Sequence, residues 1–139
     1  MVDRDIIIRR MTLLEEYLRD LREVAETTTL DEFRSDKIIQ RYAERTLHMA
    51  IEACLDLANH VISFEGFREP TSNQDHFEVL WEQGLLEQEL KDNLRRMGQF
   101  RNLLVHDYAR VDPSIVFKII TKDLVDLREF ANIIKETFL

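Results

Sequence analysis

Ile7, Met11, Leu14, Leu18, Leu21 and Val24 recur at steps of three and four along a stretch otherwise crowded with Arg, Asp and Glu, and that beat commits the opening segment, Asp3 to about Ala25, to a helix with one apolar stripe. A lone helix cannot bury its own stripe, so the chain needs further helices to cover it. The next segment supplies one. Ile39, Tyr42, Ala43, Leu47, Ala50, Cys54, Leu57, Ala58 and Val61 form a wide core face on a second long helix, predicted from near Ser35 or Asp36 to about Phe64. Thr27 to Asp31 separates the two, and Leu30 to Arg34 is suited to a short helical turn.

Punctuation is sparse, with three Gly and two Pro in 139 residues, which favours long helices and few turns. The segment Glu65 to Asn73 reads as a loop. A short helix from Gln74 to about Gln83 follows, and Gly84 is placed to terminate it. Leu86 or Glu87 opens a fourth helix. Asp112-Pro113 marks another start, Asp as cap and Pro in the first turn, and Ile115 to Phe138 forms the last helix. The expectation is an all-α, up-and-down bundle of four to five helices, a single domain over residues 1–139 without internal repeats.

Composition narrows the function classes. A formal net charge of −8 disfavours tight nonspecific nucleic-acid binding, which depends on clustered Lys and Arg, and leaves RNA as a transient substrate or one met through a local basic patch. No apolar run reaches membrane-spanning length, and Met1-Val2-Asp3-Arg4-Asp5 lacks a basic, apolar leader, so the chain is expected to be cytoplasmic with no membrane partner. Cys54 is the single cysteine. That excludes an intramolecular disulfide, and its apolar helical setting predicts a packed, inert thiol.

The chemistry concentrates in Arg101-Asn102-Leu103-Leu104-Val105-His106-Asp107-Tyr108. Leu90, Leu94, Met97, Arg101, Leu104 and Tyr108 share one helical seam, so Arg101 stands where a Leu is expected. A guanidinium stays charged inside a protein, and an unpaired one in a seam costs several kcal/mol. Burial there calls for an anion or a dense set of acceptors. Either Arg101 snorkels out or forms a structural ion pair, or a negative ligand visits the seam. His106, Asn102 and Tyr108 nearby add an imidazole, an amide and a phenol, a set suited to a phosphodiester. On the second long helix His48, Glu52, Asp56, Asn59 and His60 form a polar row. A zinc or manganese site is one reading, but such rows are usually a solvated face or a subunit contact, and the more useful expectation is that the row faces the Arg101 region, with Asp56 and His60 as cleft support. No metal or other cofactor is expected.

Arg-Asn-x-x-x-His-x-Tyr in an all-helical chain of this size resembles the HepT-like toxins of the HEPN superfamily, whose signature is an Arg and a His separated by four to six residues. The resemblance extends to Ala53–His60, Asp75–Leu85 and Met97–Tyr108, which look like successive helices of that family. It implies a HEPN-like fold and a metal-independent endoribonuclease toxin acting as a homodimer. It also implies a nucleotidyltransferase antitoxin as partner, which adenylylates the motif tyrosine. Carried over by position, Arg101, Asn102 and His106 are the active-site residues and Tyr108 the modification site. A noncatalytic helical module that docks a nucleotidyltransferase or a nucleotide is the alternative, and a purely structural helical dimer the third.

The implied chemistry is self-consistent. A base must assist the ribose 2′-hydroxyl, the role of His106, and a cation must hold charge on the phosphoryl oxygens, the role of Arg101. The expected ends are a 2′,3′-cyclic phosphate and a 5′-hydroxyl. On an ideal helix Arg101 and His106 lie about 140° apart, while Tyr108 is about 20° from Arg101. Either the helix loosens near His106 or two copies meet and share each cleft.

Overall fold

A computed structural model describes residues 3–139, and the backbone alone of Tyr108. Its helices are α1 Arg4–Thr27, α2 Leu30–Ser35, α3 Lys37–Glu65, α4 Asp75–Glu82, α5 Gln88–His106, α6 Pro113–Lys118 and α7 Leu124–Phe138. A 3-10 turn, Tyr108–Arg110, follows α5, and a π-helical stretch, Ile119–Asp123, joins α6 to α7. Among the described residues there is no strand, so the all-α expectation holds.

α1, α2, α3 and α6 begin where a side chain satisfies their first N–H groups. Asp3 accepts from the amides of Asp5 and Ile6, and Thr29 with Glu32 forms a reciprocal capping box on α2. Asp36 caps α3 through the amides of Ile38 and Ile39. Asp112 accepts from Ser114 N–H, with Pro113 in the first turn of α6. Two glycines close helices in the left-handed region that other residues avoid: Gly66 after α3 (φ 71°) and Gly84 after α4 (φ 76°).

α1 packs along α3, and α5 lies against α3, α4 and α7. One hydrophobic core runs through the bundle, including Ile7, Leu14, Leu21, Phe33, Leu47, Ile51, Leu57, Phe77, Leu94, Leu127 and Phe130, all buried. Side chains of this kind each stabilise the fold by roughly 1.5–3 kcal/mol. Phe77 and Phe130 meet edge-on with centroids 5.7 Å apart, a ring contact that joins α4 to α7.

The seating of α4 on α5 matters most for the site. Lys91 and Arg95 on α5 both reach Glu78 on α4, at 3.4 and 3.1 Å, and the Lys91 ammonium lies 4.4 Å from the Trp81 ring centroid. One turn further along, α5 carries Gly98. A Cβ there would come within 3.3 Å of Gln74 Cα, so the backbone just ahead of α4 rests on the bare glycine.

Three expectations change. Tyr42, placed in the core by periodicity, is 49% exposed, because it lies at the margin of the α3 stripe beside the Asp20 and Glu23 carboxylates, whose charge, after burial, raises its phenol's proton affinity. The last helix is not continuous, since the π-helical stretch divides it. Finally, α5 ends at His106: Asp107 leaves helical geometry (φ −147°, ψ 45°), so Tyr108 stands in the following 3-10 turn and does not continue the Arg101 seam. The expected angular relation of Tyr108 to Arg101 is lost there, and its side chain lies outside the described residues.

Candidate active site

The seam arginine has its anion within the chain. Arg101 projects from α5 onto α3 and forms an ion pair with Glu52, with both Nε and Nη2 directed at Oε1. Its side chain is 20% exposed, so the charge is withdrawn from bulk water yet remains reachable. Leu90, Leu94, Met97 and Leu104 on the same seam are buried, which holds α5 against α3 and keeps the guanidinium from swinging free.

Asn102 extends the array. Its Oδ1 accepts from Arg101 Nη1 at 3.3 Å and from Asn73 Nδ2 at 3.1 Å. Asn73 comes from the loop ahead of α4. Periodicity on α5 could not reveal it, since its delivery depends on the Gly98 contact next door.

On α3, His48 lies one turn before Glu52, with Nε2 3.7 Å from Glu52 Oε1, too long for a hydrogen bond. That nitrogen is buried and has no hydrogen-bond partner among the described residues. Burial holds the imidazole's proton affinity below its ordinary value, Glu52 opposes this, and the Arg101 and Arg45 guanidiniums reinforce it.

The expectation that the polar row faces Arg101 therefore holds for Glu52 and, through it, His48. It does not extend along the row. Asp56 pairs with Arg10 on α1 at 3.7 Å, and His60 Nε2 accepts from the amide of Asp3 at 3.2 Å while its ring tilts onto Phe64. These contacts tie α3 to the start of α1, and neither residue contacts Arg101. Burial pushes the Asp56 carboxyl upward, with Arg10 opposing and Glu52 adding to the rise.

His106 is exposed at the last residue of α5. Asp107 forms an ion pair with Arg110 at 3.4 Å. Among the described residues, no group of three or more His, Cys, Asp or Glu side chains is arranged to hold a metal ion. A cleft of about 470 Å³ is lined by Asn93, Arg96, Phe100, Ile119 and Asp126 among others. It lies on another face of α5 and includes neither Arg101 nor His106. The C-terminal half of α5 thus carries a half-buried cation in contact with an amide held from two sides, and an exposed imidazole at its last residue.

Residues 14–134 match the family model described as ribonuclease HepT-like. The chain is 31% identical over 131 residues to the mRNA nuclease HepT of Shewanella oneidensis, covering 94% of this chain and 97% of that one. It is also 31% identical over 116 residues to the tRNA nuclease HepT of Aphanizomenon flos-aquae, covering 84% and 78%. A crystal structure of a toxin–antitoxin complex with AMP-PNP aligns with a TM-score of 0.88 at 30% identity, covering 95% of this chain and 98% of that one. The tri-AMPylated HEPN toxin of Shewanella oneidensis, in complex with its MNT antitoxin, aligns with a TM-score of 0.88 at 31% identity over the same shares. A match over most of its length, with the same helical frame, shows that this chain belongs to the HepT-like ribonuclease family.

Proposed function

We propose that this chain is the ribonuclease toxin of a toxin–antitoxin pair, a metal-independent endoribonuclease whose active-site residues are Arg101, Asn102 and His106. The observation that carries the reading is the placement of these three side chains on the last turns of α5, with Arg101 half-buried and His106 open to solvent. His106 accepts the proton of the ribose 2′-hydroxyl as its oxygen attacks the adjacent phosphorus. Arg101 holds the negative charge that accumulates on the phosphoryl oxygens, and Asn102 steadies Arg101 through the Nη1 contact. The P–O5′ bond then breaks, and the leaving oxygen takes a proton from the imidazolium or from water. The products are a 2′,3′-cyclic phosphate and a 5′-hydroxyl.

The working unit in this reading is a homodimer, in which two α5 ends line one cleft and offset the wide angular separation of Arg101 and His106. The partner is a nucleotidyltransferase antitoxin that adenylylates Tyr108. Bulk and negative charge added two residues beyond His106 oppose the approach of an RNA phosphate. The complexes of similar toxins, one of them AMPylated, support this regulation.

A second reading, a noncatalytic module that docks a nucleotidyltransferase or a nucleotide, is favoured by one observation: Arg101 is already neutralised by Glu52 in a chain of net charge −8. Inducible expression of the wild type beside Arg101→Ala and His106→Ala separates the two. Growth arrest and new 5′-hydroxyl RNA ends with the wild type alone support the nuclease. Three harmless, folded proteins support the docking module.

A further inference from the structure

The proposed reaction leaves one carboxylate at the site without a role. Glu52 is in direct contact with the cation that has to receive a phosphate, and a carboxylate so placed opposes RNA by like-charge repulsion. Its geometry points to a use. A guanidinium carries five N–H groups in a fixed planar fork. Glu52 takes the edge formed by Nε and Nη2, and Asn102 takes one N–H of Nη1. One N–H on Nη1 and one on Nη2 remain for a ligand.

We propose that Glu52 is a positioning residue for RNA cleavage, clamping the Nε–Nη2 edge of Arg101 so that the remaining Nη1 and Nη2 N–H groups are presented to the phosphoryl oxygens. The inference rests on the ribonuclease reading above. Held between Glu52 on one side and the Asn73–Asn102 pair on the other, the guanidinium has lost its freedom before substrate arrives, and such preorganisation favours the transition state. Glu52 takes the place in this array that carboxylates occupy behind metal-bound histidines, orienting the group that does the chemistry.

His48 completes the device. Its Nε2 faces Glu52 Oε1 across 3.7 Å without a hydrogen bond, and its other charged neighbours are Arg45 on its own helix and Arg101 from α5. While the ring is neutral it leaves Glu52 to Arg101. Once protonated, its Nε2–H competes for the same oxygen and loosens the clamp. The acid side of the activity profile accordingly carries the titration of His48, transmitted through Glu52.

The test is steady-state cleavage of a labelled RNA oligonucleotide by the purified full chain, with melting temperatures measured alongside, for the wild type, Glu52→Leu, Glu52→Gln and His48→Gln. Removing the clamp with Leu is expected to lower kcat by about 10- to 100-fold, the scale set by misplacing a catalytic group by about 1 Å, with a much smaller change in KM. Gln keeps an oxygen acceptor of the same reach, so it restores part of kcat. His48→Gln is expected to shift the acid limb at unchanged fold, while the limb that the base His106 requires remains. If both Glu52 variants cleave as fast as the wild type or faster, Glu52 is a surface charge that only repels RNA and the proposal is overturned. An unmoved acid limb in His48→Gln overturns the His48 link. A wild type that cleaves no RNA removes the ribonuclease reading itself, an outcome distinct from either of these.

Discussion

Gly98 is the point at which packing and chemistry meet, and its substitution has a calculable outcome. In a helix interior, Gly→Ala is favourable by about 1 kcal/mol. At this position the new Cβ meets Gln74 Cα at 3.3 Å and Gln74 N and Cβ at 3.5 Å, so the backbone ahead of α4 must give by a few tenths of an ångström. The two effects nearly cancel, and Gly98→Ala is expected to lie within about 1 kcal/mol of the wild type, a Tm change of no more than about 4 °C for a domain of this size. Gly98→Val places a further pair of methyl groups around a contact already tight against backbone. Overpacking of that kind costs about 1–3 kcal/mol, a Tm lowered by about 4–12 °C. The displaced backbone also carries Asn73 off Asn102, so RNA cleavage is expected to fall by about tenfold or more. Thermal melts followed by circular dichroism, with cleavage assays on the folded variants, read both quantities. A Gly98→Val protein as stable and as active as Gly98→Ala refutes the claim that this close approach seats the site.

Other consequences follow from the same contacts. Arg68 hydrogen-bonds Asp75 at 2.8 and 2.9 Å and holds its carboxyl well below the usual carboxylate range, against the effect of burial. A depressed carboxylate stabilises the fold above its unfolded pKa, 3.8, and that stability is lost as pH falls below it. Arg68→Gln is therefore expected to raise the midpoint of acid unfolding, measured by fluorescence, and an unchanged midpoint counts against the pairing. Cys54 is fully buried and burial pushes its thiol far up, so a thiol reagent at mildly alkaline pH is expected to modify it only at the rate of global unfolding. Rapid modification of the native protein contradicts that. Truncating the edge-on contact with Phe77→Ala is expected to cost about 3–5 kcal/mol, read by urea unfolding, and a loss under 1 kcal/mol would show that α4 is not anchored there.

Much of the frame is legible in the residues because it rests on local rules. The stripe from Ile7 to Leu21, the Asp112-Pro113 start and the Gly84 stop each follow from a short-range physical requirement, and the structure meets them. The demand that Arg101 find an anion was equally readable, since a charged group in an apolar seam must be compensated. Which anion was not. Periodicity says which face of α3 is polar, and Glu52, Asp56 and His60 all lie on it, yet only the packing angle of α5 across α3 decides that Glu52 meets Arg101 while the others meet α1. Asn73 is further still from sequence reasoning. It belongs to an irregular segment whose position is set by a glycine on another helix. The end of α5 at Asp107 involves no Gly or Pro, so no local signal marked that Tyr108 leaves the helix.

The central claim is that Arg101 and His106 cleave RNA through the 2′-hydroxyl, and end-group analysis of an RNA oligonucleotide incubated with purified protein in the presence of EDTA tests it most directly. Fragments ending in 2′,3′-cyclic phosphate and beginning with 5′-hydroxyl, formed by the wild type and lost in folded Arg101→Ala and His106→Ala variants, are the predicted result. Cleavage that persists in both variants, or fragments bearing 5′-phosphates, would contradict it.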